Sequence, residues 1–396
     1  MIYIPNLSQD SGGIKQYSMG LLNVLAGDTQ HTYFINHNTG DKDIISLINR
    51  NKQFIHIKEE ISKWENYTSY TKRVYNFLCR ALLIKKQIRI SNSLEGICNK
   101  YGIKVIHCPY QRLPEVSNVQ LITTLHDVQE LHLPAFFSPA ERAFRANCYM
   151  DILNRADKII VSYEHVKNDL ISFFNTPNHK IHIILLEMER LWFEKFSEKD
   201  SISFSDINVP QKFLLYPANT WKHKNHIRLL KAVALLRDKY NLSVFVICSG
   251  HTNDHFNNDI QILIADLNLE SQVKFLGIVE EHVLFSLYKN AAGVVIPTLY
   301  EAGSFPLMES ILLEIPVICS NVTSLPDTIQ NEDYTFDPYN INDIADKIKS
   351  LWVSDIYRNK SIQNSKKVGR NLKGTNALQN LQKLYRELDK NVSGSA

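Results

Sequence analysis

The stretch GVVIPTLYEAGSFPLMESILLEIPVICS, residues 293–320, contains the pattern that decides the fold. Its β-branched run at 293–296 predicts a strand, and the run at 317–320 predicts a second one. Between them, a Gly-Ser turn is followed by apolar residues that predict a helix ending near Leu313. A strand, a helix and a second strand in this order are typical of a parallel βαβ unit.

The same alternation of strands and helices runs through the chain in two series. The first series has candidate strands at residues 2–4, 33–35, 104–107, 121–125, 158–162 and 181–186. The second has candidate strands at residues 213–216, 244–248, 273–275, 293–296 and 317–320. This pattern predicts an α/β protein with two facing, doubly wound, Rossmann-like domains and a cleft between them.

The domain limits are predicted from the breaks in this pattern. The first domain takes residues 1–186, a charged and Ser-rich linker takes 187–210, and the second domain takes 211–374. Apolar residues at helical spacing in 375–388 predict an amphipathic helix, so that 375–396 forms a helix that packs back across the first domain, plus a tail. Ligands of doubly wound sheets bind outside the carboxyl ends of the strands, which places the active site in the cleft.

Composition excludes several classes of protein. The 396 residues are 44% hydrophobic and 21% charged, as in soluble globular proteins, and the formal net charge of +3 is too even for a dedicated nucleic-acid binder. The six cysteines include no C-x-x-C pair and predict the reduced thiols of a cytoplasmic protein. Because residues 1–6 do not resemble a signal peptide and no apolar run reaches a membrane-spanning length, we expect neither secretion nor membrane insertion.

Two motifs of the first domain lie after predicted strands. Gly12 and Gly13 precede an apolar helical pattern, where backbone amides can approach a phosphate or sugar oxygen, and a structural turn is the alternative. The motif TTLHD at 123–127 places His126 and Asp127 at a carboxyl strand end, where ligands bind, and a histidine that caps the next element is the alternative. The sequence has neither a G-x-G-x-x-G fingerprint nor a P-loop.

Two further motifs belong to the second domain. Lys224 precedes a predicted helix, where its charge suits a diphosphate, and a solvated basic turn is the alternative. Glu301 and Glu309 flank the Gly-Ser turn of 293–320. Carboxylates accept hydrogen bonds from paired sugar hydroxyls, although two glutamates at this spacing also arise by chance.

Together, in this order, the four motifs resemble family 4 of the glycosyltransferases, which are retaining enzymes with the GT-B fold of two facing Rossmann-like domains. The resemblance covers nearly the whole chain. It extends to ADKIIVS at 156–162, FLGIV at 275–279, the stretch at 287–297, IPVI at 315–318 and SLPD at 324–327.

The resemblance implies a nucleotide-diphosphate sugar of the UDP or GDP type as donor, held mainly by the second domain, with no other cofactor and no metal. It places Lys224 on the diphosphate and Glu309 on the ribose. His126 and Glu301 are the implied catalytic residues, from the acceptor-side and donor-side domains respectively. The remaining donor contacts fall on Gly12, Gly13, Val279, Gly303, Ser304 and Phe305.

The sequence departs from the family pattern at two places. Members often carry an arginine about six residues before the lysine, where this chain has Ala218 and Asn219. Diphosphate binding is therefore expected to depend on Lys224, with Lys222 or His223 as helpers. The usual Gly-Phe-Gly after the first glutamate is Ala-Gly-Ser at 302–304, which changes the backbone of the sugar pocket.

Three other patterns support weaker hypotheses. His251 and His255 have metal-ligand spacing, but their polar surroundings favour a loop. The D-x-D sequence at 41–43 is interpreted as a solvated turn. Residues 72–89 hold six basic and no acidic residues, which predicts either a contact with anionic lipid or an ordinary solvated helix near the acceptor cleft.

The sequence therefore predicts a retaining, metal-independent hexosyltransferase that acts on a glycan or lipid-linked acceptor in the synthesis of bacterial surface polysaccharide or lipopolysaccharide. We expect a cytoplasmic protein, at the inner face of the membrane if residues 72–89 bind lipid, and no nucleic-acid partner. The alternatives are a nucleotide-sugar epimerase of the same architecture and a non-catalytic, transferase-like binding subunit.

Overall fold

Two parallel β-sheets, each flanked by helices, organise the chain. The computed structural model describes residues 1–7, 12–59, 93–186 and 209–393, with the single positions 71, 74, 75, 193 and 196. The α/β class with two Rossmann-like domains is confirmed. The domain limits stay a prediction, because most of the segment 187–210 lies outside the described residues.

The first sheet has seven strands in the order β3-β2-β1-β4-β5-β6-β7, all paired in parallel. Its strands are β1 (Ile2–Tyr3), β2 (Tyr33–Asn36), β3 (Phe54–Ile57), β4 (Val105–Cys108), β5 (Gln120–Thr124), β6 (Lys158–Val161) and β7 (Ile181–Ile183). The α-helices described in this part are α1 (Gly12–Ala26), α2 (Lys42–Arg50), α3 (Ser93–Tyr101), α4 (Gln129–His132), α5 (Pro139–Arg155) and α6 (Glu164–Phe174).

The second sheet has six strands in the order β10-β9-β8-β11-β12-β13, again all parallel. Its strands are β8 (Leu214–Pro217), β9 (Val246–Ser249), β10 (Val273–Phe275), β11 (Gly293–Ile296), β12 (Val317–Ser320) and β13 (Thr335–Phe336). Its α-helices are α7 (His226–Tyr240), α8 (Gln261–Asp266), α9 (Glu281–Asn290), α10 (Phe305–Leu312), α11 (Leu325–Ile329), α12 (Ile341–Val353) and α13 (Asp355–Lys373). A last helix, α14 (Ala377–Ser393), follows.

Each sheet has a point where the strand order reverses. In the first sheet this point lies between β1 and β4, and in the second it lies between β8 and β11. Doubly wound sheets bind ligands in the crevice outside the carboxyl ends of the strands at such points. A ligand site is therefore expected at the loops that follow these four strands.

The predicted strands are all present, with small shifts at their ends, whereas β3 and β13 were not predicted. Both are edge strands with a single neighbour, so they need fewer apolar residues than central strands. In β3 the side chain of Ile55 is exposed and His56 is polar, and β13 has two residues. By contrast, every residue of β11 and β12 is buried.

Helix α14 crosses back onto the first domain, as the spacing of its apolar residues predicts. Leu381, Leu384 and Leu388 are buried in the core formed by α1, α2 and the first strands. The hydroxyl of Tyr385 lies 2.8 Å from Nδ1 of His107, and Lys158 forms a 2.8 Å ion pair with Glu387. Helix α14 therefore packs against α1 of the first domain.

Two properties of the described residues bear on the environment of the protein. No helix among them is both long and apolar enough to cross a membrane. The cysteines among them, Cys98, Cys108, Cys148, Cys248 and Cys319, are free thiols.

Replacing Leu381 by alanine should test the contribution of α14 to stability. The Leu381 side chain is fully buried, so Leu381→Ala leaves a cavity and should lower the free energy of unfolding by about 2–5 kcal/mol. The neighbouring Lys383 is exposed, and Lys383→Ala should change it by less than about 0.5 kcal/mol. Urea unfolding of both variants makes the comparison, and equal midpoints would contradict the packing of α14.

Candidate active site

Lys224 and Glu301 meet at the reversal point of the second sheet. Lys224 lies in the connection between β8 and α7, and Glu301 lies in the loop between β11 and α10. Their side chains form an ion pair, with exposed fractions of 16% and 11%. Because both are largely shielded from water, each charge is neutralised mainly by the other.

Backbone contacts join the two loops that carry this ion pair. The amide of Leu299 donates to the carbonyl of His223 over 2.7 Å, and Nδ2 of Asn225 donates to the carbonyls of Pro297 and Pro338. Asn225 is buried and adopts a left-handed conformation with φ of 62°. These contacts hold Lys224 beside the loop of Glu301.

Lys224 was predicted at the start of a helix, and the structure corrects its position slightly. It ends a 3₁₀ turn, Lys222–Lys224, and α7 begins two residues later at His226. Burial and the adjacent Lys224 lower the pKa of His223 to about 3. His223 is therefore neutral near pH 7 and adds no positive charge for a diphosphate, which leaves Lys224 and the exposed Lys222 as the cations of this turn.

Glu309 lies on α10 near the start of its second turn. It is 5% exposed, and the hydroxyl of Tyr288, on α9, donates a 2.7 Å hydrogen bond to its Oε2. Burial and this carboxylate raise the pKa of Tyr288 well above its usual range. The spacing in the sequence thus separates one carboxylate in a loop from a second one fixed on a helix.

The residues between the two glutamates form the start of α10. Ser304 occupies the N-cap position, and its buried Oγ has no hydrogen-bond partner among the described residues. Gly303 contacts the first domain, because a Cβ at this position would lie 2.7 Å from Cε2 of Tyr163. Phe305 is the first helical residue, so the amides near it carry the partial positive charge of the helix N-terminus. Val279 lies apart from them, half-buried after β10 against the core of the second domain.

The predicted residues of the first domain lie at and beside its own reversal point: Gly12 and Gly13 follow β1, and β5, which precedes His126, is the neighbour of β4. His126 follows β5, and its Nε2 donates to the carbonyl of Pro109 over 3.0 Å. Burial lowers the pKa of His126, so its ring is neutral near pH 7 and Nδ1 carries no proton. Its ring meets that of Tyr17 edge to face at 4.7 Å. Tyr17 belongs to α1, which begins with Gly12 and Gly13, and this contact connects the two first-domain motifs.

Sequence reasoning missed three residues that surround these motifs. Tyr163, which follows β6, lies against Gly303, and Tyr300, directly before Glu301, contacts rings of the first domain. Arg145 forms ion pairs with both Asp127 and Glu130 and so holds the loop after His126. Tyr300 could have been suspected from its position beside Glu301, whereas α5 carries no signal that singles out Arg145.

The weaker sequence hypotheses have different outcomes. Asp41 is not solvated, because its buried carboxylate caps α2 and pairs with Lys15 over 2.8 Å. His255 pairs with Asp259 at the start of a helical segment rather than in a loop. In the part of the chain that the structure describes, no group of three or more His, Cys, Asp or Glu side chains could hold a metal ion. The segment 72–89 lies outside the described residues except for positions 74 and 75.

The fold and the site together define a protein of the GT-B class. Residues 197–368 match the family described as "Glycosyl transferases group 1", and residues 58–185 match "Glycosyltransferase Family 4". The chain belongs to this glycosyltransferase family, and the family resemblance inferred from the motifs is confirmed.

Three known proteins illustrate the likeness. An uncharacterized glycosyltransferase of Methanocaldococcus jannaschii is 25% identical over 74% of this chain and 76% of its own length. The O-antigen chain mannosyltransferase B of Escherichia coli is 24% identical over 65% of this chain and 68% of its own length. The Anabaena protein HepE, solved in complex with UDP and glucose, superposes with a TM-score of 0.66 at 14% identity, covering 98% of this chain and 99% of its own.

Removing the hydroxyl of Tyr288 should destabilise the protein through Glu309. Tyr288→Phe deletes a hydrogen bond to a buried carboxylate, which costs about 1.5–3 kcal/mol. Tyr339 is exposed, so Tyr339→Phe is a matched control with an expected change below about 0.5 kcal/mol. Chemical denaturation measures both, and a Tyr288→Phe variant as stable as its control would refute the structural role of this bond.

Proposed function

We propose that this glycosyltransferase moves a hexose from a UDP- or GDP-type sugar donor to a glycan or lipid-linked acceptor, with retention at the anomeric carbon. The observation that carries the proposal is the Lys224–Glu301 ion pair at the reversal point of the second sheet. It places one cation and one carboxylate side by side at the position where a doubly wound sheet binds a nucleotide.

Donor binding would exchange the partner of each charged group. A diphosphate brings its own negative charge to Lys224 and competes with Glu301 for it. Once Lys224 pairs with phosphate, the Glu301 carboxylate is free to accept hydrogen bonds from hydroxyls of the transferred sugar. Lys224 and Glu301 would thus contact the two groups that the breaking bond joins, the diphosphate and the transferred sugar.

Glu309 suits a different part of the donor. Tyr288 holds one of its oxygens over 2.7 Å, and the carboxylate stays buried on a helix rather than in a loop. Such a fixed acceptor is appropriate for the two hydroxyls of a ribose, which do not move during the reaction. Val279, after β10, would border the base.

The first domain would supply the acceptor side of the reaction. We propose that the departing phosphate helps to deprotonate the acceptor hydroxyl, while His126 steadies the positive charge that develops on the sugar. The unprotonated Nδ1 of a neutral His126 is a suitable acceptor for this purpose. The Gly12-Gly13 start of α1 would approach the donor from the same side.

The biological setting is also proposed, as the synthesis of a bacterial surface polysaccharide or lipopolysaccharide on the cytoplasmic side of the membrane. The name of the Escherichia coli relative, an O-antigen chain mannosyltransferase, supports this acceptor class. The UDP and glucose bound to the Anabaena neighbour support the donor class. A contact of residues 72–89 with anionic lipid would bring the enzyme to a lipid-linked acceptor.

Variants of the ion pair test the donor site without knowledge of the acceptor. Lys224→Ala should weaken the binding of UDP or GDP about tenfold to a hundredfold, because hydrogen bonds to charged groups contribute about 1.5–3 kcal/mol. Glu301→Gln should tighten it at least about twofold, since it frees Lys224 from a competing ion pair, while turnover falls. Calorimetry with each nucleotide measures the affinities.

Lys231→Ala is the matched control, because Lys231 is exposed on α7, outside the turn that carries Lys224. Its nucleotide affinity should stay near that of the wild type. If Lys224→Ala binds both nucleotides as tightly as the control, the diphosphate does not bind at this turn.

The proposal also predicts the response to metal removal and the stereochemistry. Lys224 and the amides at the start of α10 would stabilise the leaving diphosphate, so nucleotide release from UDP- and GDP-sugars should be equal with EDTA and with excess Mg²⁺. Proton NMR of the first sugar product should detect the same anomeric configuration as in the donor. Loss of turnover in EDTA or an inverted product would overturn the mechanism.

A further inference from the structure

The loop that carries Glu301 contacts the first domain on both sides of that residue. Tyr300, directly before it, is 2% exposed, and its ring centroid lies 5.2 Å from that of His132 and 6.2 Å from that of His165. We call these two histidine rings, which belong to the first domain, the Tyr300 socket. A tyrosine of the second domain is thus buried against the first domain.

The contacts continue after Glu301. Ala302 packs against an apolar cluster of the first domain that includes Leu125 and Val128. The hydroxyl of Tyr163 donates to Sδ of Met308 over 3.6 Å, and a Cβ on Gly303 would lie 2.7 Å from Cε2 of the Tyr163 ring, so a side chain there would force one of the two to shift. Residues directly before and after Glu301 in the sequence therefore contact the first domain.

Glu301 itself belongs to the second domain. Its side chain pairs with Lys224, and its carbonyl accepts a 2.6 Å hydrogen bond from Oγ1 of Thr323. Tyr300 and Ala302 thus contact the first domain, whereas the side chain of Glu301 between them pairs within the second domain. The position of Glu301 thus depends on how the two domains sit against each other.

The socket is held within the first domain. Nε2 of His132 lies 2.8 Å from Oδ2 of Asp169, and its ring meets Phe173 edge to face at 5.4 Å. His165 follows Tyr163 at the start of α6, and its ring nitrogens have no hydrogen-bond partner among the described residues. His165 therefore contributes to the socket through ring packing rather than through hydrogen bonds.

We propose that Tyr300 is a positioning residue: its burial between His132 and His165 fixes Glu301 relative to the first-domain residues of the site, His126 among them. This inference rests on the proposed function, in which Glu301 contacts the transferred sugar and His126 acts from the opposite domain. A reacting group displaced by about 1 Å can lose about a hundredfold in rate, so an anchor next to Glu301 has a direct effect on turnover.

Variants at position 300 distinguish the contribution of the Tyr300 ring to turnover from that of its hydroxyl. Tyr300→Ala removes the ring and should lower kcat for nucleotide release from UDP- or GDP-sugars about tenfold to a hundredfold. The affinity for free UDP or GDP, measured by calorimetry, should stay within about twofold of wild type, because the ion pair and Glu309 belong wholly to the second domain. Tyr300→Phe keeps the ring and should restore most of the turnover.

A second variant approaches the contact from the other domain. His165→Ala should also lower kcat while leaving the affinity for free UDP or GDP nearly unchanged. This variant remains informative if Tyr300→Ala fails to fold. Because both variants break one contact, the double variant should be no slower than the slower single variant. Independent, multiplying losses would overturn the proposal, as would a Tyr300→Ala variant with wild-type kcat.

Small-angle X-ray scattering provides a readout that needs no substrate. Loss of the anchor should increase the maximum dimension of Tyr300→Ala relative to Tyr300→Phe, and equal scattering would overturn the proposed anchor. If wild type binds neither nucleotide and releases none from any donor, the proposed function fails. The scattering result then decides whether Tyr300 joins the domains, so the two failures are distinguishable.

Discussion

The ion pair between Lys224 and Glu301 is the interaction on which the organisation of the site depends. Two opposite charges with little exposure are tolerated because each compensates the desolvation of the other, and removing one partner would leave an uncompensated charge. The pair joins the loop after β8 to the loop after β11, which are neighbours where the strand order reverses. The core of the second domain sets the position of both strands, so the packing of β8 and β11 indirectly sets the geometry of the charges.

The two glutamates of the 301–309 segment differ in their surroundings. Glu309 sits on a helix and accepts a hydrogen bond from buried Tyr288, whereas Glu301 sits in a loop and its main charged partner is a lysine. A carboxylate fixed in the core suits an invariant part of a ligand, and one that can exchange partners suits a part that reacts. The eight-residue spacing in the sequence therefore places one carboxylate in a loop and the other at a buried position of a helix.

Sequence reasoning located most of the fold, and it singled out the Lys224 and Glu301 that the structure brings together, because both leave local signals. Buried parallel strands appear as short apolar runs, and Lys224, Glu301 and Glu309 follow such runs at predicted strand ends. The edge strand Phe54–Ile57 was missed because an edge does not require a continuous apolar run. Asp41 was misjudged because its partner Lys15 lies 26 residues earlier, in another helix. Contacts such as Tyr163 with Gly303 join different domains, and no local period encodes them.

The same distinction explains why the interdomain residues carry no motif although the proposed mechanism depends on them. The residues proposed to bind the donor, such as Lys224 and Glu309, lie within one domain and are positioned by a single sheet. The proposed reaction also requires the first-domain His126, whose position relative to Glu301 no single sheet can determine. Only contacts across the cleft can do so, and they are made by the neighbours of Glu301 in sequence, Tyr300 and Ala302. Because residues on both sides of Glu301 contact the first domain, closing the cleft and placing the carboxylate become one event in the proposed mechanism.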